Sequence, residues 1–490
     1  MLALYNQPLG LLTDLYELTM AYGYWKSQML ENEAVFHLFF RKPPFQGGFT
    51  VAAGLENVID YLQRWRFEIS DLDYLSSLES DTGEPLFEEA FLDYLQEMKF
   101  TCDVDAVQEG DVVFPYEPLL RIQGPIIQAQ LLETPLLTLT NFPTLIATKA
   151  ARICLAAGDD PVLEFGLRRA QGLDGAMTAS RSSYIGGCFG TSNTLAGKVL
   201  NIPVRGTHAH SWVMAFESEL SSFQAYAEAM PDNCVFLVDT FDTLRGVKNA
   251  IEVGRWLKKE GKKLLGIRLD SGDLHYLSVE SRKLLDAAGF QDAKIYASNE
   301  LNETLIADLK QQGSKIAVWG VGTHLVTGFG QPALDGVYKL SAYRQKTNLP
   351  WEYKLKLSEK LAKISDPGIL QVRRFSTPEM GYIADALFDV PKGFPAPARI
   401  IDPLDPTRSR ILSTSMQARD LLQPIFRSGE YVYQKPSLAA IQAYCKKELS
   451  LFDKSIKRLY NPHLYPVGME ESHYHLKMEL INQAREHSLS

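Results

Sequence analysis

The middle of the chain repeats one pattern, in which a short apolar run of strand-forming residues ends in a polar or glycine-rich cluster and an amphipathic segment follows. Six such runs cover residues 161–165, 202–204, 234–238, 264–267, 294–297 and 315–319. Strands buried on both faces read as continuous apolar runs, and strands that alternate with helices form a parallel sheet. The repeat therefore predicts βαβ units arranged as an α/β sheet or barrel.

Polar and charged residues follow these runs at the points where the predicted strands end. They include Arg168, the cluster 206–210, Asp239, the segment 268–273, Asn299 and the turn 320–323. In parallel sheets and barrels the active site gathers at the carboxyl ends of the strands. The segment is therefore predicted to belong to an enzyme.

Composition and charge limit the classes of partner. The 59 acidic residues outnumber the 50 basic ones, and the net charge of −9 argues against a nucleic-acid partner. A local basic pocket for a small phosphorylated substrate stays open. The five cysteines are scattered without a Cys-x-x-Cys pair, which favours reduced thiols in the cytoplasm and no zinc site.

The ends and the apolar stretches of the chain bear on its localisation and domains. Residues 1–10 lack the features of a signal peptide, and polar residues interrupt the apolar stretch 126–157, which favours paired buried helices over a membrane span. A chain of 490 residues needs more than one core. We predict an N-terminal α+β domain over 1–125, an α/β barrel over 126–345, and a C-terminal region over 346–490 that packs partly on the other domains and is helical from residue 436.

The cluster 206–210 places two imidazoles, His208 and His210, beside the hydroxyl of Thr207. Histidine readily exchanges protons or accepts a phosphoryl group near neutral pH. No further metal-ligating residue accompanies the pair at ligand spacing, so a metal site is disfavoured. Two structural histidines remain the alternative.

The segment 268–273 alternates a cation and an anion before it turns. A structural ion pair between Arg268 and Asp270 is the simplest interpretation, but Asp270 and Asp273 on either side of Ser-Gly also suit ribose hydroxyls or a magnesium-bound phosphate. Asp239 is either catalytic or a helix cap.

Two further clusters suit anions. The turn 320–323, with Gly322 and Thr323, exposes backbone amides to a phosphate, although an ordinary tight turn looks the same. Arg168 suits a phosphate or carboxylate, and a solvated helix start is its alternative.

Taken in order, several stretches of the sequence resemble one family. They are residues 11–20, 164–172, 191–197, 206–210, 238–240, 266–273, 320–323, 336–340 and 461–462. The chain resembles the nicotinate phosphoribosyltransferases, which salvage nicotinate into NAD. The resemblance implies an irregular TIM-like α/β barrel with an N-terminal α+β domain and a C-terminal helical extension, assembled as a homodimer with active sites at the subunit interface.

The resemblance also implies a reaction. The nicotinate ring nitrogen attacks C1 of 5-phosphoribosyl 1-pyrophosphate and gives nicotinate mononucleotide and pyrophosphate, with Mg²⁺ present. ATP is a co-substrate whose hydrolysis is coupled to the transfer through a phosphohistidine, which maps onto His210. The magnesium ligands are not predicted.

Individual roles follow from the same resemblance. Tyr16 of the partner subunit and Phe165 stack on the pyridine ring, with Thr207 and Arg268 near its carboxylate. Charge builds on pyrophosphate as the bond to C1 breaks, so cations and fixed amides are needed there. The full set comprises His210, Arg268, Asp270 and Asp239 as catalytic residues and Tyr16, Phe165, Arg168, Asn193, Thr207, Asn299, Gly322 and Thr323 as substrate-binding residues.

Asn193 bears on the choice of pyridine. Relatives that use nicotinamide carry an aspartate where Asn193 aligns, and an aspartate would repel a carboxylate while accepting a hydrogen bond from an amide. Asn193 therefore favours nicotinate. The alternatives are a nicotinamide phosphoribosyltransferase, a quinolinate-using relative, which should need a denser cluster of cations, and a non-catalytic phosphoribosyl-binding regulator.

Overall fold

The computed structural model describes residues 8–489. Contacts divide the chain into two compact units, one made of Met1–Leu145 with Ala333–Ser490 and the other of Ile146–Pro332. The domain boundaries at residues 125 and 345 stay a prediction. The prediction that residues 1–10 are not a signal peptide falls mostly on residues 1–7, which lie outside the described residues.

The N-terminal part of the chain alternates helices and antiparallel strands. Its helices are α1 Leu15–Lys26, α2 Leu55–Leu62, α3 Ile69–Ser76, α4 Glu89–Glu97, α5 Ile126–Leu131 and α6 Glu133–Ala157. Its strands are β1 Glu33–Phe40, β2 Thr50–Val51, β3 Asp103–Ala106, β4 Val112–Val113 and β5 Leu120–Pro125. The α2 helix buries Leu55, Val58, Ile59 and Leu62, whose spacing places them on one face. The i, i+3, i+4, i+7 spacing of these apolar residues predicts this helix from the sequence, and both it and the helical connection predicted at 126–157 are confirmed.

The middle of the chain contains the predicted strand–helix repeat. Its strands are β6 Val162–Glu164, β7 Gly190–Thr191, β8 Val235–Leu237, β9 Gly266–Leu269, β10 Lys294–Ala297 and β11 Val318–Val321. Its helices are α7 Gly172–Ile185, α8 Thr194–Leu200, α9 His210–Met214, α10 Glu219–Ala229, α11 Thr243–Lys259, α12 Leu274–Ala287, α13 Glu303–Gln311 and α14 Thr323–Val326.

The C-terminal part is mostly β structure before it returns to helix. Its strands are β12 Gly336–Arg344, β13 Glu352–Tyr353, β14 Leu370–Thr377, β15 Gly381–Asp389, β16 Ala398–Ile401, β17 Ser409–Leu412, β18 Gln417–Asp420, β19 Gln423–Arg427, β20 Glu430–Tyr431 and β21 Val467–Glu470. Its helices are α15 Leu438–Ser450 and α16 Glu471–Leu489. The helical extension is confirmed, but the sheet that precedes it was not predicted.

The first unit contains two large sheets. One is antiparallel, with strand order β13-β12-β1-β5-β3-β19-β20, and therefore joins strands from both ends of the chain. The other has the order β17-β16-β21-β15-β14-β18, in which only β15 and β21 run parallel. The density of proline over 391–406 predicts a linker or covering loop, but this segment contains β16, so that interpretation was wrong in part.

The second unit is built on a parallel sheet with the order β7-β6-β11-β10-β9-β8. The edge strands β7 and β8 do not pair with each other among the described residues, so the barrel is incomplete and irregular, as predicted. Strands β8 and β11 are buried along their whole length, which explains their continuous apolar sequence.

Two local predictions were wrong. Residues 202–204 form no strand; Val204 makes an isolated bridge to Thr191, and Gly190–Thr191 takes the edge position instead. The place of His473 in the C-terminal tail predicts a surface residue, but His473 is buried, with Nε2 3.0 Å from the Pro367 carbonyl oxygen. None of the helices in the described part of the chain combines the length and apolarity that a membrane crossing requires.

Candidate active site

The parallel sheet of the second unit brings most of the predicted site residues to one edge. Loops after β6, β7, β8, β9, β10 and β11 carry Phe165, Asn193, Asp239, Asp270, Asn299 and Gly322, in that order. Side-chain caps begin four of the following helices, because Asn193, Asp242, Asp273 and Asn302 each accept a hydrogen bond from a backbone N–H of the first turn. Tyr16 lies on α1, in the other unit, and is exposed.

His210 is the first residue of α9, and its side chain is 39% exposed. Its Nδ1 lies 3.1 Å from the hydroxyl of Thr240, and its Nε2 lies 3.7 Å from Oδ2 of Asp270. The imidazole is therefore hydrogen-bonded on one side, lies near a carboxylate on the other, and remains open to a ligand. An exposed ring next to a carboxylate is suited to nucleophilic or proton-transfer chemistry.

His208 differs from His210 in its burial and in its hydrogen bonding. Its ring is buried among Phe223, Tyr226 and Phe236, and its Nε2 accepts a hydrogen bond of 3.2 Å from the Leu237 N–H. Burial lowers the pKa of His208 to about 4. His208 is therefore neutral at physiological pH and has a structural role.

Asp239 connects the loops after β8 and β9. Its Oδ2 accepts hydrogen bonds of 2.7 Å from the Asp270 N–H and from the Ser271 hydroxyl. Its Oδ1 is buried without a hydrogen-bond partner, which is costly for a carboxylate oxygen. Asp270 in turn accepts from the Ser298 hydroxyl. Asp239 thus fixes Asp270 and retains one acceptor for a further group.

Arg268 lies on β9, and its guanidinium Nη1 donates to the hydroxyl of Thr207. Burial is the largest influence on the pKa of Arg268 and lowers it, the carboxylates of Asp270 and Asp239 raise it, and Arg168 adds a further lowering. Arginine nonetheless stays charged in proteins. Its buried Nε makes no hydrogen bond, so the site contains a desolvated cation with a spare donor.

The turn after β6 carries Phe165 and is held by its neighbours. The Phe165 N–H donates to the Val321 carbonyl oxygen at 2.8 Å, and a Cβ on Gly320 would lie 2.6 Å from the Phe165 ring. A Cβ on Gly166 would lie 2.2 Å from Cγ1 of Val326. Gly320 therefore leaves room for the aromatic ring against β11, and Gly166 lets the turn itself approach α14.

The remaining predicted residues occupy more ordinary positions. Arg168 is exposed in a short 3₁₀ helix, Leu167–Arg169, and Asn299 is exposed with a φ of 91°. Gly322 precedes the four-residue helix α14, whose first residue is Thr323.

Asn193 is buried, and its side chain makes hydrogen bonds within the protein. Neither feature was predicted from the sequence. Its Oδ1 accepts from the Ala196 N–H at 3.1 Å, and its Nδ2 donates to the Ser180 hydroxyl at 3.2 Å. The predicted role of Asn193 in choosing the pyridine stays a prediction. In the structure its side chain caps the N-terminus of α8. Within residues 8–489, no three His, Cys, Asp or Glu side chains come together in a way that would hold a metal ion.

Comparisons with known proteins match nearly the whole length of the chain. Models of the nicotinate phosphoribosyltransferase N-terminal domain, family region and C-terminal domain match residues 11–141, 161–366 and 371–477. Nicotinate phosphoribosyltransferase of Bacillus subtilis is 44% identical, with 98% of this chain and 96% of that protein covered. The human enzyme is 34% identical, with 94% of each chain covered. The chain belongs to the nicotinate phosphoribosyltransferase family.

The fold supports the same conclusion. The crystal structure of human nicotinic acid phosphoribosyltransferase superposes with a TM-score of 0.82 at 32% identity, covering 96% of this chain and 99% of that chain. A nicotinate-nucleotide pyrophosphorylase from Pyrococcus furiosus shares the fold, with a TM-score of 0.66 at 21% identity. The irregular α/β barrel with its additional domain is thus the fold of the family.

Several residues around the site were not singled out from the sequence. Thr240 contacts His210, Ser298 contacts Asp270, and Glu164 contacts the turn that carries Phe165. Each lies next to a predicted residue at the end of a strand. Their positions at the ends of strands could have marked them as site residues. Their hydrogen-bond partners could not be predicted, because these depend on the conformation of the loops.

Proposed function

We propose that the chain transfers the phosphoribosyl group of 5-phosphoribosyl 1-pyrophosphate to nicotinate, as an enzyme of NAD salvage in the cytoplasm. The observation that carries the proposal is the meeting of His210, Asp270 and Arg268 at one edge of the barrel in a chain that matches this family along its full length. None of the five cysteines forms a disulfide in the part of the chain that the structure describes, which agrees with a reducing compartment.

The transfer forms a bond from the pyridine nitrogen to C1 and breaks the bond from C1 to the pyrophosphate oxygen. Positive charge develops on the ribose and negative charge on the leaving group, so fixed charges at the site favour the transition state over the bound substrate. Arg268 supplies a desolvated cation with a free Nε–H, and Thr207 lies within its reach. Asp270 is half-exposed and is suited to accept hydrogen bonds from ribose hydroxyls.

ATP enters the proposal through His210. In the coupled reaction the imidazole takes the γ-phosphoryl group of ATP, with ADP as the leaving group, and water later releases phosphate. His210 is exposed enough to react, whereas His208 is buried and its Nε2 is occupied by the Leu237 N–H. The phosphorylated residue is therefore His210.

Magnesium fits the carboxylates at this edge. The buried Oδ1 of Asp239 has no partner, and the nearby carboxylate of Asp270 adds a second oxygen donor. When bound, the ion would neutralise charge on the pyrophosphate group. Asp239 and Asp270 are the residues that would hold it, and both are fixed by hydrogen bonds to neighbouring loops.

The proposed assembly is a homodimer in which each site draws a residue from both subunits. Phe165 lies at the carboxyl edge of the barrel, and Tyr16 of the partner subunit would cover the other face of the pyridine ring. In this chain Tyr16 is 46% exposed on α1, so its ring is available to a ligand or partner. Aromatic rings stacked on both faces of a planar substrate give it orientation as well as affinity.

The test is a product assay with matched substrates. Purified protein is incubated with phosphoribosyl pyrophosphate, Mg²⁺ and either nicotinate or nicotinamide, with and without ATP, and pyrophosphate and mononucleotide are measured. We expect formation of nicotinate mononucleotide, stimulated by ATP. Product from nicotinamide in preference to nicotinate would reassign the substrate, and no product from either pyridine would contradict the proposal.

A further inference from the structure

Glu164 is a buried carboxylate that joins three elements of the second unit. It is 1% exposed and accepts hydrogen bonds from the Gly166 N–H, from the Ser180 hydroxyl at 2.9 Å and from the Thr191 hydroxyl at 2.5 Å. These donors belong to the turn after β6, to helix α7 and to strand β7. A single side chain therefore connects the turn that carries Phe165 with the loop that carries Asn193.

The connection continues into Asn193 along two routes. The Thr191 hydroxyl, which donates to Glu164, accepts the Asn193 N–H at 2.9 Å. The Ser180 hydroxyl, which also donates to Glu164, accepts from Nδ2 of Asn193 at 3.2 Å. Backbone and side chain of Asn193 are thus both bonded to hydroxyls that also bond one carboxylate, and the Ser180 hydroxyl shares its proton with the Ala176 carbonyl oxygen at 3.1 Å.

Burial makes this arrangement restrictive. An ionised carboxylate removed from water is tolerated only when hydrogen bonds replace its hydration. If the Phe165 turn or the Asn193 loop moved, Glu164 would lose a donor without gaining water. The carboxylate therefore favours one relative placement of the two loops over others.

We propose that Glu164 is a positioning residue for the pyridine end of the site, which holds the Phe165 turn and the Asn193 loop in register. The inference rests on the proposed function, which places Phe165 at the pyridine, and on the family resemblance, which gives Asn193 a part in the choice of pyridine. Asp270 and His210 come from other loops, so the phosphoribosyl and ATP parts of the reaction should depend much less on Glu164.

The experiment uses a set of matched variants of the full chain. Glu164→Gln keeps the size of the side chain but replaces one acceptor oxygen with a donor. Thr191→Val removes one hydroxyl and keeps the shape, and Thr191→Ser restores the hydroxyl. Ser180→Ala is paired with Ser278→Ala, since Ser278 is also a buried helical serine that bonds a carbonyl of its own helix and one further group, the Lys315 N–H.

We expect the KM for nicotinate to rise roughly tenfold in Glu164→Gln, which is about the effect of losing one charge-assisted hydrogen bond. Thr191→Val and Ser180→Ala should raise it less. The KM for phosphoribosyl pyrophosphate and the phosphohistidine level reached with ATP should change less than twofold. Thr191→Ser should recover most of the affinity, and Ser278→Ala should lower the Tm without changing the nicotinate KM.

Two results would overturn the inference. One is a lowered Tm with unchanged nicotinate KM in both Glu164→Gln and Thr191→Val, which would make Glu164 a stability residue only. The other is an equal rise in the KM of both substrates, which would show a general distortion of the site. If Glu164→Gln does not fold, the Thr191 and Ser180 variants decide the question. Failure of the proposed function is distinct, because the wild-type protein would then form no nicotinate mononucleotide.

Discussion

Substitution of Gly320 by alanine tests whether the Phe165 ring takes part in binding. Gly320 is buried in β11, and an added Cβ would lie 2.6 Å and 2.7 Å from Cδ2 and Cε2 of Phe165. The next atom, the Ala297 carbonyl oxygen, is 3.5 Å away, so the ring is the only severe obstacle. Carbon atoms prefer separations of about 3.5–4.0 Å, and the ring must therefore move by about 1 Å.

The expected change in the nicotinate KM depends on how much the stacking of the Phe165 ring contributes to binding. Overpacking of this kind destabilises proteins by about 1–3 kcal/mol, and aromatic stacking contributes about 0.5–1.5 kcal/mol beyond buried area. If the displaced ring loses its contact with the pyridine, the nicotinate KM of Gly320→Ala should rise about two- to tenfold, since about 1.4 kcal/mol is a factor of ten. The KM for phosphoribosyl pyrophosphate should stay within about twofold.

Steady-state kinetics and thermal unfolding of the same preparation make the measurement. Gly175→Ala is the control, because Gly175 lies in α7 and an added Cβ there would have no atom within 4 Å. Helical alanine is more favourable than glycine by about 0.5–1 kcal/mol, so this variant should be neutral or slightly stabilised. A Gly320→Ala protein with a lowered Tm and unchanged nicotinate KM would show that Phe165 does not contact the pyridine.

Three further predictions concern individual residues of the site. His210→Ala should lose ATP stimulation and ATPase activity while retaining slow transfer, and loss of coupling in His208→Ala instead would reverse the assignment. Mixing inactive Tyr16→Ala and Arg268→Ala subunits should restore activity if sites are shared, and no recovery in verified heterodimers would place Tyr16 elsewhere. Asn193→Asp should lower kcat/KM for nicotinate about tenfold, through repulsion of about 1–4 kcal/mol, but not that for nicotinamide; equal losses on both would make Asn193 structural.

Elements with strong periodicity were predictable from the sequence. The parallel strands follow from apolar runs followed by helical segments, and five of the six predicted runs overlap a strand of the sheet. The exception, 202–204, is apolar and short, but strand pairing depends on partners elsewhere in the chain, and Gly190–Thr191 occupies the edge position. A two-residue strand that contains glycine carries no propensity signal of its own.

The residues of the site could be predicted from the sequence, but their burial and the contacts between them could not. The identities of His210, Arg268 and Asp270 followed from their places after strands and from the family resemblance. The neutral state of His208 did not, because it depends on burial among aromatic rings from other elements. The C-terminal sheet was also missed, since its strand β21 pairs with β15 and β16 far away in the sequence and β16 lies in a proline-rich segment.

The pH dependence of stability provides an independent test of the structural role of His208. Burial lowers the pKa of its imidazole to about 4, from the usual 6.5. Between these values the unfolded chain binds more protons than the folded one, so His208 destabilises the fold progressively as the pH falls from 6.5 towards 4.

The size of this effect can be measured by comparison with one variant. From pH 7 to pH 5 the loss attributable to His208 should be about 2 kcal/mol, because each pKa unit corresponds to about 1.36 kcal/mol. His208→Gln keeps an acceptor within reach of the Leu237 N–H but does not titrate, so it should lack this part of the pH dependence. Urea unfolding of both proteins at several pH values gives the difference directly. Other groups titrate equally in both proteins, so their contributions cancel in the difference. If the free energy of unfolding of the two proteins depended on pH in the same way, the imidazole would be accessible to protons in the folded state.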